Sequence, residues 1–516
     1  MKQILIILFA ATVFTSCSKL DEKLGSQESA TGSSGGSGGS VTAASVLSGT
    51  YEAMRLPYQD QSRVWASQEH TTDEVIAPTR AGDWDDNGVW RVLHSHQWDA
   101  NHSFLADTYR DLGRVIFSST DLLRLSPTPG QAAEARLLRA MATFQLLDGW
   151  NQVPYRTNTA NTEEVPSVRK GAEAADYIIS ELNAIIADLP VGPANRANKD
   201  AARVLLMRTL INKGVYANRA APTFSAADMN QVITLADQIM ASPRGYSLAT
   251  NYFDNFSKTN ETTGSENIWT GDNIGGSSSG NVRSRWFCTL HYNMNPSGWN
   301  GFTTLSDFYD KFGATDKRRG GNPYPGMTQG IVPGFLVGQQ FNGAGAPLND
   351  RTGAPLSFTR AVKSVEVGSN LEVTGIRVIK YPIDYTSGDN AANDYVYARI
   401  SDVLYMKAEA ILRGGTATAN TATFGSANTA LGIVNFVRSH PSRAAGALTS
   451  LSLDNLIDER GREFYWEGTR RTDLVRFGKF SAAWQEKPAS TATQLIFPIP
   501  ARSLAANPNL TQNPGY

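Results

Sequence analysis

Three glutamates near the C-terminus have the spacing that acid–base chemistry would need. Glu459, Glu463 and Glu467 lie four residues apart, so a helix would place them on one face. A pair of carboxylates is the usual acid and base of a glycoside hydrolase. Five arginines are interleaved with them: Arg460, Arg462, Arg470, Arg471 and Arg476. Neighbouring guanidiniums keep carboxylates ionised, whereas a general acid needs a raised pKa. We therefore expect a structural network of charge-assisted hydrogen bonds that holds this helix to the preceding helices, and no catalytic residue.

Three histidines, His94, His96 and His102, form the one local histidine cluster of the sequence. Two imidazoles at positions i and i+2 would share one face of a strand, but no cysteine or matching carboxylate pattern completes a zinc site. The sequence contains no Asp-x-Asp-x-Asp-Gly calcium loop, phosphate loop or dinucleotide fingerprint. We expect no bound metal ion and no cofactor.

Aromatic residues among turn formers are the better indication of function. Residues 81–91 read Ala-Gly-Asp-Trp-Asp-Asp-Asn-Gly-Val-Trp-Arg, with two tryptophans between residues that favour turns. An indole presents a flat apolar face, which suits the C–H face of a sugar ring. Carboxylates and guanidiniums can bind the hydroxyls of the sugar. The candidate ligand contacts in this segment are Asp83, Trp84, Asp85, Trp90 and Arg91.

A second aromatic cluster follows at residues 285–300. It contains Arg285-Trp286-Phe287, His291-Tyr292-Asn293 and Trp299-Asn300. We take Trp286, Tyr292 and Trp299 as further candidate ligand contacts, with a structural role as the equal alternative for Trp299. A polar cleft lined by aromatic side chains serves peptides as well as sugars, so both ligand classes stay open.

Helical periodicity dominates the elements that must position these residues. Apolar residues at helical spacing predict helices at 41–54, 103–124, 131–150, 172–188, 199–218, 229–241, 400–413, 427–439 and 453–466. From about residue 251 to 393 the chain is rich in Gly and Asn and has short β-like runs, such as residues 376–381. These patterns predict a mostly α domain over residues 41–516 with a loop-rich, partly β insert.

Charge and the first forty residues indicate the compartment. With 47 basic and 48 acidic residues and no basic stripe, the chain gives no electrostatic footprint for nucleic acid. Lys2, an apolar run at 4–14 and small residues before Cys17 predict a signal peptide over residues 1–16, because the run is too short to span a bilayer. The arrangement resembles a lipobox, which implies lipidation of Cys17; an ordinary signal peptide is the alternative. Residues 17–40 are rich in Gly and Ser and predict a flexible tether.

Three C-terminal blocks carry a resemblance to a known family. They are residues 399–410 (Arg-Ile-Ser-Asp-Val-Leu-Tyr-Met-Lys-Ala-Glu-Ala), residues 456–479, which span Glu459 to Arg476, and Ile496-Phe497-Pro498-Ile499-Pro500 with the terminal segment 507–516. Segments 73–78 and 139–155 extend the likeness into the N-terminal half. The chain resembles the SusD/RagB family of outer-membrane nutrient-binding lipoproteins.

This resemblance implies a right-handed superhelix of tetratricopeptide-like helix pairs, whose variable loops hold the ligand. It implies a SusC-like TonB-dependent transporter as partner, an oligosaccharide or a peptide as ligand, and a lipid-anchored, surface-exposed position at the outer membrane. We expect a glycan-binding lipoprotein that delivers its ligand to that transporter. A peptide-binding protein of the same uptake system is the first alternative, and a surface glycoside hydrolase is the second.

Overall fold

The computed structural model describes residues 41–157 and 159–516. Residues Thr42–Tyr516 form one compact unit. The predicted signal peptide at 1–16, Cys17 and the tether that ends at residue 40 lie outside the described residues. The predicted domain boundaries stay predictions.

Helices make up most of the regular structure. The described residues contain α1 Ala43–Gln59, α2 Val64–Glu69, α3 Val89–His94, α4 Ser103–Leu123, α5 Pro129–Trp150, α6 Gly171–Ile185, α7 Lys199–Ala217, α8 Ala226–Met240, α9 Asn260–Thr263, α10 Ser284–Phe287, α11 Ser306–Tyr309, α12 Ile400–Leu412, α13 Ala430–Ser439, α14 Leu453–Phe464, α15 Arg470–Arg476 and α16 Ala501–Ala506. Several long helices begin after a residue whose side chain caps the first turn, as Thr42, Thr128 and Ser452 do before α1, α5 and α14. In the part of the chain that the structure describes, no helix combines the length and the apolar character that a bilayer crossing needs.

The long helices form one continuous stack. α1 packs on α4, and each of α4, α5, α6 and α7 packs on the helix that follows it. α12 continues the series because it lies between α8 and α13. Neighbours in sequence are therefore neighbours in space, which is the packing of helical hairpins in tetratricopeptide-like folds. The predicted mostly α, tetratricopeptide-like fold is confirmed.

Short antiparallel pairs account for the strands. The described strands are β1 Ala81–Trp84, β2 Gln152–Tyr155, β3 Ser167–Lys170, β4 Asn267–Gly271, β5 Gly334–Leu336, β6 Gly338–Gln339, β7 Ser357–Phe358, β8 Arg377–Ile379 and β9 Tyr395–Arg399. β2 pairs with β3, β4 with β9, β5 with β8 and β6 with β7. Between α8 and β9 the chain has only short elements joined by loops, which is the loop-rich, partly β insert that the sequence predicts.

Buried ion pairs join the C-terminal helix α14 to the insert. The carboxylate of Glu463 accepts hydrogen bonds from Arg399 at 2.6 Å, Arg443 at 2.6 Å and Arg318 at 3.1 Å, and all four side chains are buried. Burial by itself would raise the pKa of this carboxyl, but the guanidiniums of Arg443, Arg399 and Arg318 outweigh it and hold the pKa well below its usual range. Glu463 is therefore a structural anion.

Glu459 and Glu467 extend the same network. Glu459 accepts from Arg318 at 2.7 Å and from Arg462 at 2.8 Å, and it is also paired with Arg438. Glu467 is paired with Arg399 and Lys380, each at 2.9 Å. Here the sequence-based expectation was right about ion pairing and wrong about most of the partners.

Of the five interleaved arginines, Arg462 alone pairs with one of the three glutamates in the described part of the chain. The other four pair elsewhere: Arg460 with Asp402 and Asp473, Arg470 with Asp73 and Glu74, Arg471 with Asp148, and Arg476 with Glu409 and Asp473. The reason is geometric. Each guanidinium bonds with a carboxylate of the element that packs against its own side of α14 or α15.

Glu463→Gln tests this network. The amide keeps the shape but leaves three buried guanidiniums short of one negative charge, so we expect the free energy of unfolding at pH 7 to fall by about 3–5 kcal/mol. Because the folded-state pKa of Glu463 is depressed, its stabilisation is present above its unfolded pKa of about 4.3 and is lost as the pH falls below that value. Urea denaturation at pH 7, 5 and 4 should show the deficit of the variant shrinking only at the lowest pH.

The control is Asp310→Asn, which breaks an ion pair with Arg360 in which both side chains are about half exposed. It should change the free energy of unfolding by no more than about 1 kcal/mol. Equal effects of the two substitutions would contradict a structural role for the buried network.

Candidate functional site

A cleft of about 620 Å³ lies between β1, α3, the start of α4 and the insert. Its lining residues are Gln61, Ser62, Asp83, Trp84, Asp86, Trp90, Phe104, Tyr292, Trp299 and Arg351. Both aromatic clusters singled out in the sequence thus contribute to one site, although about 200 residues separate them in the chain. Its size is that of an ordinary small-ligand site.

Strained backbone presents Trp84 to this cleft. Trp84 has φ +64°, and Ala81, Asp86 and Asn87 also have φ between +44° and +58°. Left-handed backbone is rare for bulky residues and costs roughly 1–3 kcal/mol each, so it persists only where surrounding contacts enforce it. One such contact is the hydrogen bond that the Trp84 indole N–H donates to the carbonyl of Trp299 at 2.9 Å.

Gly301 and Arg80 form the support beneath Trp84. The indole lies so close to Gly301 that a Cβ there would be 2.2 Å from Cε2 of Trp84. The buried guanidinium of Arg80 donates to the carbonyl of Gly301 at 3.4 Å and to the carbonyl and hydroxyl of Thr374 at 3.0 and 2.9 Å. Arg80 therefore joins the strand that carries Trp84 to the loop that follows residue 370.

Tyr292 and Arg351 form the opposite wall. The guanidinium carbon of Arg351 lies 4.1 Å from the ring centroid of Tyr292. Glu372 fixes it there, because its carboxylate accepts from Nε and from the backbone N–H of Arg351. Glu372 also accepts from Nε2 of His291 at 2.9 Å; Nδ1 of His291 accepts from the backbone of Asn293, so the proton is on Nε2.

Two indoles form a bent apolar surface inside the cleft. The ring centroids of Trp84 and Trp299 are 6.3 Å apart and their planes are inclined by 52°. Trp299 is 44% exposed, and the edge of Phe287 backs its ring at 4.9 Å. Trp90 is only 3% exposed and forms the cleft floor, with its N–H donated to Asp86 at 2.8 Å.

The structure brings five of the eight predicted ligand contacts to the cleft and leaves three outside its lining. Asp83, Trp84, Trp90, Tyr292 and Trp299 line it. Trp286 does not, because α10 turns its side chain into the core, where it is 3% exposed. Asp85 and Arg91 form an ion pair with each other at 2.6 Å and are not among the lining residues.

Sequence reasoning missed several lining residues. Phe104 was hidden in the periodic pattern of α4, and Asp86, directly after the predicted contact Asp85, was not selected. Arg351 lies in a turn without aromatic neighbours, so no local signal pointed to it. Only the packing of the 351 turn against Tyr292 shows its place.

The three clustered histidines bond to different parts of the fold. The two ring nitrogens of His94 lie 3.2 Å from the carbonyls of Val75 and Gln485, and the neutral ring donates to one of them; His96 bonds with the carbonyl of Thr71. Burial lowers the pKa of His96 to about 2. These imidazoles are neutral and structural. Among the described residues no group of three or more His, Cys, Asp or Glu could hold a metal ion.

Comparison with known proteins agrees with this architecture. The model of the SusD family matches residues 249–492. The starch-binding protein SusD of Bacteroides thetaiotaomicron is 26% identical over 486 residues, which cover 84% of this chain and 82% of that protein. The resemblance to the SusD/RagB family is thereby confirmed.

Solved structures of SusD-like proteins share the fold. Surface glycan-binding protein A from Bacteroides thetaiotaomicron, in complex with laminarihexaose, is similar with a TM-score of 0.64 at 17% identity, covering 91% of this chain and 98% of that one. A SusD superfamily protein from Parabacteroides distasonis is similar with a TM-score of 0.69 at 18% identity, covering 92% and 98% of the two chains.

Gly301→Ala tests the support beneath Trp84. The added methyl group would occupy the place of the indole, so we expect Trp84 to leave its position and the near-ultraviolet circular dichroism of the tryptophans to change, with a stability loss of about 1–3 kcal/mol. In a Trp84→Ala background the same substitution should have little further effect, which a double-mutant cycle measures.

Gly313→Ala is the matched control, because a Cβ there meets no atom within 4 Å. If Gly301→Ala had the same effect with and without the Trp84 indole, the proposed contact between the two residues would be refuted.

Proposed function

We propose that this protein is a non-catalytic, cell-surface glycan-binding lipoprotein that captures oligosaccharides and passes them to a SusC-like TonB-dependent transporter. The observation that carries the proposal is the bent pair of indoles, Trp84 and Trp299, in a cleft that also presents Asp83, Asp86 and Arg351. The function needs no cofactor.

The chemistry of the cleft matches a sugar chain. A pyranose ring has apolar C–H faces and a polar rim of hydroxyls, so it needs flat apolar partners with hydrogen-bonding groups around them. Trp84 and Trp299 supply the flat partners. The carboxylates of Asp83 and Asp86 can accept hydroxyl protons, and the half-exposed guanidinium of Arg351 can donate. A peptide would use the same groups, but it gains less from two inclined aromatic faces.

The relatives support a glycan ligand. One relative carries the name starch-binding protein, and one structurally similar protein was solved with laminarihexaose bound. Both names describe binding proteins, which favours capture over hydrolysis.

The ionisation of the carboxyl groups argues against a glycoside hydrolase. A hydrolase needs a general acid with a raised pKa beside its ligand. In the described part of the chain, burial raises the pKa values of Glu69, Glu74 and Asp394, to about 7 for the last two, and none of the three lines the cleft. The Glu459 and Glu463 carboxyls have lowered pKa values.

Affinity electrophoresis of residues 41–516 in gels that contain laminarin, soluble starch or xyloglucan tests the function. We expect retention in at least one gel. Trp299→Ala should weaken that binding at least about tenfold, or about 1.4 kcal/mol, because it removes one of the two indoles that form the bent apolar surface. Phe341→Ala is the matched control, since Phe341 is 43% exposed and lies outside the cleft lining; it should bind as the wild type does.

Other outcomes would overturn the proposal. Retention of mixed peptides with no retention by any glycan would favour the peptide-binding alternative. Steady release of reducing ends from a bound glycan by the purified protein would establish a hydrolase.

The lipid anchor is a separate part of the proposal and rests on the sequence around Cys17. Cys17→Ala should release the protein from the membrane fraction of the cells that produce it, because the thiol that carries the diacylglycerol is gone. Fractionation followed by immunoblotting measures this release, and Ser18→Ala is the control. A Cys17→Ala protein that stayed in the membrane fraction would refute lipid anchoring at this residue.

A further inference from the structure

The charges on the cleft wall indicate which glycans it accepts. Three charged side chains line the cleft: Asp83, Asp86 and Arg351. We propose that Asp83 and Asp86 make the cleft selective for neutral glycans and exclude sulfated and uronic-acid glycans. This inference rests on the proposed glycan-binding function and specifies its ligand class.

Neither carboxylate forms an ion pair within the described residues. Asp83 and Asp86 are both exposed, and neither lies within ion-pair distance of a Lys, Arg or His in the described part of the chain. Asp86 accepts one hydrogen bond, from the Trp90 indole at 2.8 Å, which fixes the carboxylate at the edge of the cleft. An arriving ligand therefore meets two exposed carboxylates outside any ion pair, of which Asp83 also interacts electrostatically with Arg351 and Arg80.

The positive charge of Arg351 on the cleft wall is already paired with a carboxylate. Arg351 is paired with Glu372, which accepts from both its side chain and its backbone. Arg63, next to the lining residue Ser62, is likewise paired with Asp111 at 2.8 Å. The positive charge of each guanidinium is therefore already offset by a carboxylate, although Arg351 can still donate hydrogen bonds to hydroxyls.

Two further guanidiniums lie beneath the cleft and do not face the ligand. Arg80 and Arg377 are buried. The carboxylate of Glu366 interacts electrostatically with both guanidiniums, and that of Glu372 interacts with Arg80. Asp83 also interacts electrostatically with Arg80, so the positive charge of Arg80 is partly offset. Three guanidiniums (Arg80, Arg351 and Arg377) thus lie near four carboxylates (Asp83, Asp86, Glu366 and Glu372), of which Glu372 is paired with Arg351, Glu366 is buried, and Asp83 and Asp86 are exposed.

These carboxylates favour a neutral sugar and penalise an acidic one by the same chemistry. A carboxylate accepts charge-assisted hydrogen bonds from hydroxyls, which are stronger than bonds between neutral groups. A sulfate or carboxylate on the sugar would instead bring like charges within a few ångströms, and an acceptor-only group cannot bond to another one. The discrimination should weaken with added salt, because the Debye length falls from about 30 Å at 0.01 M to about 3 Å at 1 M.

The test compares each neutral glycan with its own sulfated form. Laminarin, soluble starch and xyloglucan, and the sulfated derivative of each, are titrated into residues 41–516 at low and high salt by isothermal calorimetry. We expect the sulfated form of whichever glycan binds to have a Kd at least about tenfold higher at low salt, with a smaller ratio at high salt.

The double variant Asp83→Asn and Asp86→Asn should bring the ratio of sulfated to neutral Kd close to one, whatever its overall affinity. The control double variant is Glu173→Gln and Asp176→Asn, which removes the same charge from exposed positions on α6. It should keep the wild-type ratio.

The outcomes separate the two proposals. Equal or tighter binding of the sulfated form by the wild type would overturn the charge selection and leave glycan binding intact. An unchanged ratio in the Asp83 and Asp86 double variant would assign the selection to other residues and also overturn the inference. Failure of every neutral and sulfated glycan to bind would overturn the proposed function, and the inference with it.

Discussion

The buried ion pairs around Glu463 are the constraint on which the arrangement of helices and insert depends. This carboxylate binds Arg318 of the insert, Arg399 at the end of β9 and Arg443 after α13, and Glu266, next to β4, pairs with the last two as well. Each group is buried, so a charge left without its partners would cost several kcal/mol. All of these segments must therefore dock together or not at all. The network is poorly suited to catalysis, because every carboxylate oxygen in it already accepts a hydrogen bond from a cationic side chain.

The cleft depends on this docking through a series of packed aromatic rings. Trp466 follows α14, and its ring lies 5.3 Å from that of Trp65, whose indole N–H donates to the Trp466 carbonyl. Trp65 stacks on Phe302 at 5.6 Å, and Phe302 contacts Trp84 at 5.1 Å. A backbone bridge between Ile76 and Thr303 runs beside these rings. The strained backbone at Trp84 is held by these contacts, so the cleft can keep its shape before a ligand arrives, which lowers the entropy cost of binding.

Local sequence pattern pointed to aromatic segments that contribute to the cleft, but not to the orientation of their side chains. Trp84 and Trp286 were both predicted ligand contacts, yet Trp84 lines the cleft and Trp286 is buried in the core. The difference comes from the left-handed backbone of residues 81–88 and from the single turn of α10, neither of which composition specifies. Arg351 shows the reverse error: it carries no local signal, and its position over Tyr292 exists only because Glu372 holds it.

The sequence alone determined the properties that arise from neighbours along the chain. Helical periodicity predicted the nine long helices to within a few residues, and the Gly- and Asn-rich stretch predicted the insert. The ionised state of Glu463 was also predicted, but the guanidiniums that cause it come from distant segments. Tertiary structure alone decided the pairings. Arg318 meets Glu463 across 145 residues, and Trp84 meets Trp299 across 215. Such contacts depend on how the helices and loops dock, and docking energy is shared among many small packing and ion-pair terms that no short segment of sequence contains.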